Sequence, residues 1–294
     1  MSLPLHDPAW LERMYNNRAL VPDHMDYLQR WAADSAQVRA NMACSIDLAY
    51  GDGPGEVLDI FPPVRPREDR VPVLVFIHGG YWRSLDKSDH SFIAPPFTLA
   101  GFCVVVVNYA LCPGTPDAPV TVPHIVRQME HALAWVWRHI GDHGGDRRRI
   151  TVAGHSAGGQ LAAMLLTSVW PLIGAELPDG LVRNALSISG LHDLEPVMYT
   201  PLYQETLRLT DQQVLQASPA RLPAPERGML YCAVGSDESP EFIRQNQLMQ
   251  DAWGSARVPR SQVLPGLHHF SIVDAFAKQG HELHHMALNL LRAL

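Results

Sequence analysis

The residues Gly154-His155-Ser156-Ala157-Gly158-Gly159 are the stretch that decides the fold. They follow an apolar run at 150–154 that predicts a strand, and they open an apolar segment at 157–169 that predicts a helix. A serine on a tight strand-to-helix turn needs small neighbours, because the turn brings the backbones two residues before and two residues after it close together. Glycine stands at both positions, which gives the G-x-S-x-G form of a nucleophile elbow. The serine of this stretch is therefore the candidate nucleophile.

The rest of the chain alternates between short β-type runs and helical patterns. The predicted strands are 45–50, 56–61, 73–77, 102–108, 150–154, 185–189, 229–234 and 262–264. The helical patterns that follow them are 125–140, 157–169, 240–253 and 272–291. Strands that alternate with helices predict a mostly parallel sheet covered on both faces, and the first two strands are spaced as an antiparallel hairpin. Together with the elbow, this pattern predicts an α/β-hydrolase fold: α/β, with a mostly parallel eight-stranded sheet and helices on both faces.

The domain organisation predicted from this pattern is a single α/β-hydrolase domain over 1–294. Residues 8–40 read as helical before any strand signal, so about 1–43 is expected to be an N-terminal helical extension. The segment at about 191–227 lacks sheet periodicity and ends in a Pro-rich stretch. Insertions of this length are often lids, and this segment is the candidate lid.

Composition and charge restrict the classes of partner. The chain has 294 residues, is 47% hydrophobic and has a net charge of −7, which permits a sizeable core and disfavours nucleic acid, since phosphate binding needs a concentrated basic face. Its apolar runs fall far short of the roughly 20 residues of a membrane span, and its first residues lack a signal-peptide core. We therefore expect no membrane contact and a cytoplasmic location. The sequence leaves the oligomeric state open, a homo-oligomer included.

Neither a metal nor another cofactor is expected. The four cysteines show no CxxC spacing, so they indicate neither a disulfide framework nor a zinc site. His281, His284 and His285 have a helical spacing that could suggest metal ligands, but they lie on a predicted amphipathic helix. The expected partner is a small ester or amide substrate.

A second glycine-rich stretch, His78-Gly79-Gly80-Tyr81-Trp82, follows directly on the predicted strand at 73–77. This fold places part of its oxyanion hole after that strand, where small residues let backbone N–H groups face the substrate. We expect donors from Gly79 and Gly80, together with the N–H of Ala157, to stabilise the charge that develops on the carbonyl oxygen. A simple glycine turn after a strand is the alternative interpretation.

A serine hydroxyl needs a base to remove its proton, and an acid normally orients that base. In this fold the acid and then the histidine follow the serine in chain order. Two adjacent carboxylates, Asp237 and Glu238, follow the predicted strand at 229–234, and Asp193 is a third candidate acid. His268 and His269 follow the last strand and are the candidate bases.

Taken together, several of these segments resemble the arylformamidases, also called kynurenine formamidases, and their bacterial esterase relatives. The resemblance spans roughly 75–275 and rests on 78–87, on Asn108-Tyr109 with Leu111-Cys112-Pro113, on the elbow, on Ser239-Pro240-Glu241-Phe242 with Arg244-Gln245, and on His269-Phe270. In that family the acid directly precedes the Ser-Pro-Glu-Phe run and the base directly precedes Phe, which implies Glu238 and His269. The usual acid there is aspartate, so Asp237 is the alternative.

The expected reaction is acyl transfer to water through an acyl-enzyme on Ser156, without a cofactor. A carboxylesterase and an arylformamidase are equally compatible with it, because the catalytic groups are shared and specificity lies in the pocket. Tyr81, Trp82, Tyr109 and Phe270 adjoin the candidate site in sequence and are expected either to line an aromatic pocket or to pack in the core. A non-catalytic small-molecule-binding module on a hydrolase fold is the alternative from another class.

Overall fold

The computed structural model describes residues 4–53, 55–66 and 68–293. In the described residues eight strands form one sheet, in the order β1-β2-β4-β3-β5-β6-β7-β8. The strands are β1 (Ser45–Ala49), β2 (Val57–Phe61), β3 (Val71–Ile77), β4 (Cys103–Val107), β5 (Gly145–His155), β6 (Val182–Ile188), β7 (Met229–Gly235) and β8 (Arg260–Leu264). β2 pairs antiparallel with β1 and β4, and the other neighbouring strands pair parallel. The predicted mostly parallel eight-stranded sheet is confirmed.

Helices precede the sheet and connect its strands. They are α1 (Pro8–Tyr15), α2 (Asn17–Leu20), α3 (His24–Asn41), α4 (Ala94–Leu99), α5 (Val122–His139), α6 (Ala157–Thr167), α7 (Trp170–Ile173), α8 (Glu195–Tyr199), α9 (Pro201–Leu207), α10 (Asp211–Ala217), α11 (Pro240–Trp253), α12 (Ser271–Ala277) and α13 (Glu282–Arg292). Short 3-10 helices lie at Lys87–Asp89, Ser91–Ile93, Ile140–His143 and Pro219–Arg221.

The sheet separates two hydrophobic cores, because successive side chains of a strand point to opposite faces. In β3, Val73, Val75 and Ile77 belong to the core that contains the buried residues of α5 and α6. Leu74 and Phe76 belong to the core that contains residues of α4, α12 and α13. All seven residues of β3 are buried. The central strand is therefore continuously apolar, as a strand covered on both faces must be.

Two predicted helical segments are divided in the structure. The segment predicted at 272–291 forms α12 and α13, which are separated by a turn in which Gly280 has φ +83° and His281 caps α13. The segment predicted at 8–40 forms α1, α2 and α3, and the Asn16 side chain accepts from the Ala19 N–H at the start of α2. In both places a cap or a left-handed glycine ends a helix that apolar spacing alone would continue.

The predicted N-terminal extension and lid segment are both largely helical. The extension holds α1 to α3, while its residues 1–3 lie outside the described part of the chain, as does Leu294. The segment at 191–227 contains α8, α9 and α10. Its action as a lid stays a prediction. Within the described ranges, no helix has both the length and the apolar character needed to cross a membrane.

Candidate active site

Ser156 lies at the junction of β5 and α6 in a backbone conformation that serine rarely adopts, with φ 56° and ψ −117°. The junction is crowded: a Cβ built on Gly154 would lie 2.0 Å from the carbonyl oxygen of Gly158, and one built on Gly158 would lie 2.1 Å from that of Ile77. The Ser156 N–H donates to the carbonyl of Ile188 at 2.8 Å. Only glycine fits at the two crowded positions, and neighbouring strands hold the strained serine in place.

A buried carboxylate and an imidazole form a pair next to this elbow. His269 Nδ1 donates to Glu238 Oε2 at 2.7 Å. Glu238 Oε1 accepts from the Gly235 N–H at 2.9 Å and from the Ser189 hydroxyl at 2.5 Å. Because Nδ1 carries the proton toward the carboxylate, the neutral ring presents Nε2 as its unprotonated nitrogen. The arrangement selects the tautomer that a general base requires.

Ser156 and His269 line the same cavity. Both residues are buried, and the cavity is where a ligand could reach them. In the described structure no hydrogen bond joins the Ser156 hydroxyl to His269, and such contacts often tighten only when substrate binds. The cavity thus brings a hydroxyl and a base together where an acyl group could be placed.

A second histidine fixes the loop that carries His269. The His155 Nε2 is 2.8 Å from the carbonyl oxygen of His269, and because a carbonyl only accepts, Nε2 is the donor. Burial lowers the pKa of His155 well below its ordinary value, so this ring is neutral at pH 7. A neutral ring adds no positive charge beside the base.

The glycine segment at 78–82 approaches the elbow closely. A Cβ on Gly79 would lie 3.0 Å from Cβ of Ser156. The N–H of Ala157 belongs to the first residue of α6, where a helix offers no acceptor. The Tyr109 hydroxyl donates to the carbonyl oxygens of His78 at 3.0 Å and Gly79 at 3.1 Å. Since C=O and N–H point in opposite directions in a trans peptide, these bonds turn the N–H groups of Gly79 and Gly80 away from Tyr109.

The four predicted pocket aromatics divide into two pairs. Tyr81 and Phe270 line the cavity. The prediction that Trp82 and Tyr109 line it is corrected: Trp82 is fully buried and its Nε1 donates to Gln160 Oε1 at 3.1 Å, while the Tyr109 ring stacks on His78 at 4.3 Å. Tyr81 and Trp82 both have positive φ, at 49° and 54°, so their side-chain directions do not follow a regular period.

The other candidate acids and the other candidate base lie elsewhere. Asp237 is exposed and accepts from the Ser236 hydroxyl at 2.8 Å. Asp193 pairs with Arg221 at 2.9 Å. His268 Nε2 contacts the Tyr27 hydroxyl at 3.2 Å, and its Nδ1 accepts from the N–H of Phe270. Of the candidates, the structure joins only Glu238 and His269.

One wall of the cavity comes from the N-terminal helices, whose sequence carries no pattern that predicts a place in the site. Asn16, Asn17 and Arg18 line it, together with Leu28 and Trp31. No local pattern connects these residues to an elbow far along the chain. Leu202 and Tyr203 of α9 line the cavity as well, so the segment predicted as a lid contributes directly.

Comparison with known proteins identifies the family. A family model described as BD-FAE matches residues 58–171. The kynurenine formamidase of Danio rerio is 31% identical over 253 residues, which cover 84% of this chain and 81% of that protein. The chain belongs to the kynurenine formamidase family of α/β-hydrolases. It is an enzyme, a serine hydrolase of the formamidase and esterase class, and the alternative of a non-catalytic binding module is wrong.

Relatives of the kynurenine formamidase family also include esterases. Esterase LipC of Mycobacterium tuberculosis is 28% identical over 274 residues, covering 82% of this chain and 63% of that protein. A crystal structure of esterase B from Lactobacillus rhamnosis superposes with a TM-score of 0.68 at 17% identity, covering 95% of each chain. At that identity the likeness shows the fold alone, and it agrees with the predicted α/β-hydrolase architecture.

Proposed function

We propose that Ser156, His269 and Glu238 form the catalytic triad of an enzyme that hydrolyses N-formyl aryl amides and short aryl esters. The observation that supports this proposal is the Glu238–His269 hydrogen bond, 2.7 Å long, in a pair that adjoins a cavity shared with Ser156. Asp237, the alternative acid, faces solvent instead. Glutamate replaces the aspartate usual in the family without losing contact with the imidazole.

In the proposed reaction, Ser156 Oγ attacks the carbonyl carbon while His269 Nε2 takes the hydroxyl proton. The tetrahedral intermediate collapses, the bond to the leaving amine or alcohol breaks, and His269 returns the proton to that group. Water, activated by the same nitrogen, then hydrolyses the acyl-enzyme and releases formate or another short acid. The Glu238 carboxylate stabilises the imidazolium that forms in each half-reaction.

Gly79, Gly80 and Ala157 are the proposed oxyanion-hole donors. Their support is the close approach of Gly79 to Ser156 and the position of Ala157 at the start of α6. Tyr109 is a proposed positioning residue, because its hydroxyl holds two of the three peptide groups by their carbonyl oxygens. Loss of one oxyanion donor typically costs about 3 to 4 kcal/mol in barrier height.

An aryl formamide is the substrate class that the site supports best. The cavity has aromatic walls from Trp31, Tyr81, Tyr203 and Phe270, which suit a flat leaving group. The relative that covers most of this chain at 31% identity is a kynurenine formamidase. Carboxylesterase activity is the second candidate, supported by the similarity to the mycobacterial esterase LipC.

The test compares kcat/KM for N-formylkynurenine and for p-nitrophenyl acetate. We expect the formamide to be hydrolysed at least as efficiently as the ester. A preference for the ester of about a hundredfold or more would reject the formamidase assignment and leave the esterase. Ser156→Ala, which retains the cavity, is the control and should lose both activities together with labelling by a fluorophosphonate probe.

A further inference from the structure

A residue whose buried side-chain amide nitrogen has no hydrogen-bond partner among the described residues lies in the wall of the cavity at Ser156. Asn17, the first residue of α2, has only 4% of its surface exposed and lines the cavity with Ser156 and His269. Its Nδ2 is buried and has no hydrogen-bond partner in the described part of the chain. Buried side-chain polar groups are hydrogen-bonded in the great majority of cases, and an unpaired one costs about 1–3 kcal/mol. Asn17 therefore requires an explanation.

The preceding residue shows what a structural asparagine does at this place. Asn16 also lines the cavity, but its Oδ1 accepts from the Ala19 N–H at 3.1 Å and its Nδ2 donates to Glu12. The start of α2 is thus already capped by Asn16. Asn17 is not needed for that cap, and its Nδ2 has no hydrogen-bond partner among the described residues.

The charges around Asn17 favour an oxygen acceptor as its missing partner. The charged side chains that line the cavity are two arginines, Arg18 and Arg83, and the described lining contains no carboxylate. Neither guanidinium forms an ion pair with another described residue: Arg18 donates to the Ser84 hydroxyl at 3.2 Å, and Arg83 to the Leu202 carbonyl at 3.4 Å. In a chain of net charge −7, this is a locally positive wall. A ligand oxygen with partial or full negative charge is favoured beside it.

We propose that Asn17 is a specificity-determining residue whose Nδ2 donates a hydrogen bond to an oxygen acceptor on the aryl leaving group of the substrate. The inference rests on the proposed formamidase function and deepens it. A formyl group carries only hydrogen on its carbonyl carbon, so recognition beyond the reacting bond must fall on the amine side. The substrate class is an aryl formamide with a carbonyl or carboxylate oxygen on a ring substituent.

The experiment measures kcat/KM for two formamides that differ in one acceptor. Formanilide has an unsubstituted ring, and ortho-formamidoacetophenone adds a ketone oxygen. We expect the wild-type enzyme to prefer the ketone. Asn17→Leu, which keeps the branched shape of the side chain but removes its polar atoms, should lower kcat/KM for the ketone by about 10- to 100-fold. The kcat/KM for formanilide should change by less than about threefold. Asn17→Ala is the second variant should leucine disturb folding, which thermal melting would show.

Asn16→Ala is the matched control, because it removes an adjacent asparagine of the same wall that already has partners. It is expected to destabilise α2 by about 1 kcal/mol. It should change kcat/KM for both formamides by the same factor, so that the ratio of the two kcat/KM values is kept. The proposal is overturned if the wild-type enzyme has the same kcat/KM for the two formamides. It is also overturned if Asn17→Leu and Asn17→Ala lower kcat/KM for both formamides by the same factor.

Two further measurements distinguish failure of this inference from failure of the proposed serine hydrolase function. They are labelling of Ser156 by a fluorophosphonate and hydrolysis of p-nitrophenyl acetate. If both persist in Asn17→Leu while the preference for the ketone is lost, the Asn17 assignment is supported. If both persist but the ratio of the two formamides is unchanged, the Asn17 assignment fails and the triad stands. If wild type is not labelled and hydrolyses neither formamide, both proposals fail.

Discussion

Glu238 distributes its two carboxylate oxygens among three donors: His269, Ser189 and the Gly235 backbone. Its side chain is completely buried, so each of these contacts lies away from water. Charge-assisted hydrogen bonds in such a setting are stronger than neutral ones and hold the imidazole in a fixed orientation. Asp237 is adjacent in sequence but has none of these partners.

At the residue scale we therefore expect a large difference between two neighbouring carboxylates. Glu238→Gln keeps the size of the side chain but offers Nδ1 of His269 a mixed donor and acceptor, and kcat should fall by about a thousandfold or more. Asp237→Asn should change kcat less than about twofold. Steady-state kinetics on one substrate decides the matter, and comparable losses in the two variants would contradict the assignment of Glu238.

How well the site could be predicted depended on how local its signals are. The elbow, the glycine segment and the loop position of His269 are contiguous patterns, and the structure places all three around the cavity. Tyr109 was expected either at the pocket or in the core, and it lies in the core behind the glycine segment, where its hydroxyl donates to two carbonyl oxygens. Adjacency in sequence gave its neighbourhood but not the direction of its side chain.

At the scale of elements, the junction of α1 and α2 is fixed by the backbone carbonyl of Tyr15. That carbonyl accepts from the hydroxyl of Tyr81 at 2.6 Å and from the hydroxyl of Tyr203, on α9, at 2.9 Å. The two tyrosine rings stack with centroids 4.0 Å apart. The Tyr15 hydroxyl donates to Glu241 of α11 at 2.6 Å. One junction therefore connects four parts of the chain around the cavity.

This arrangement predicts a non-additive double-mutant cycle. Tyr81→Phe and Tyr203→Phe each keep the stacked ring and leave the Tyr15 carbonyl one donor, so each should lower the free energy of unfolding by about 1 kcal/mol. The double variant leaves that buried carbonyl unpaired, and its loss should exceed the sum of the two by about 1 kcal/mol. Urea unfolding of the four proteins measures the coupling. Simple additivity would show that the two hydroxyls do not depend on each other.

Element boundaries were predicted less well than the elements themselves. The strand periods and the apolar faces of α5, α6 and α11 are repeated over many residues, so their types were evident from the sequence. The break between α12 and α13 depends on one left-handed glycine, Gly280, inside a continuous apolar pattern. The wall at residues 16–18 depends on contacts with distant segments, and no periodicity in the sequence reports such contacts.

At the scale of the whole molecule, several buried histidines make the fold sensitive to acid. Desolvation lowers the pKa of His78, His90 and His192 to about 4 from the ordinary value of 6.5. The unfolded chain therefore binds protons between these two values that the folded chain does not. The contribution of these histidines to the free energy of unfolding is fully present above about pH 6.5. It is lost as the pH drops toward 4.

The expected result is a marked loss of stability between pH 7.5 and pH 5, measured as the urea concentration at half unfolding. His192→Asn tests the cause, because His192 packs between Ser187 and Gln245, where one ring nitrogen meets a hydroxyl and the other a backbone carbonyl. The variant should be less stable than the wild type at pH 7.5. It should lose less of its stability on acidification, because the unfolded chain has one proton-binding group fewer. If the urea midpoint of the variant fell between pH 7.5 and pH 5 by as much as that of the wild type, this explanation would be contradicted.

The junction at Tyr15 also determines when the cavity can close during synthesis. Its partners Tyr203 and Glu241 lie 188 and 226 residues further along the chain. At a translation rate of about 5–20 residues per second, the first helices leave the ribosome on the order of tens of seconds before these partners exist. Their apolar faces must stay uncovered, or be held by a chaperone, throughout that interval. A nascent chain can thus form its first strands early, while the cavity beside Ser156 becomes enclosed only near the end of elongation.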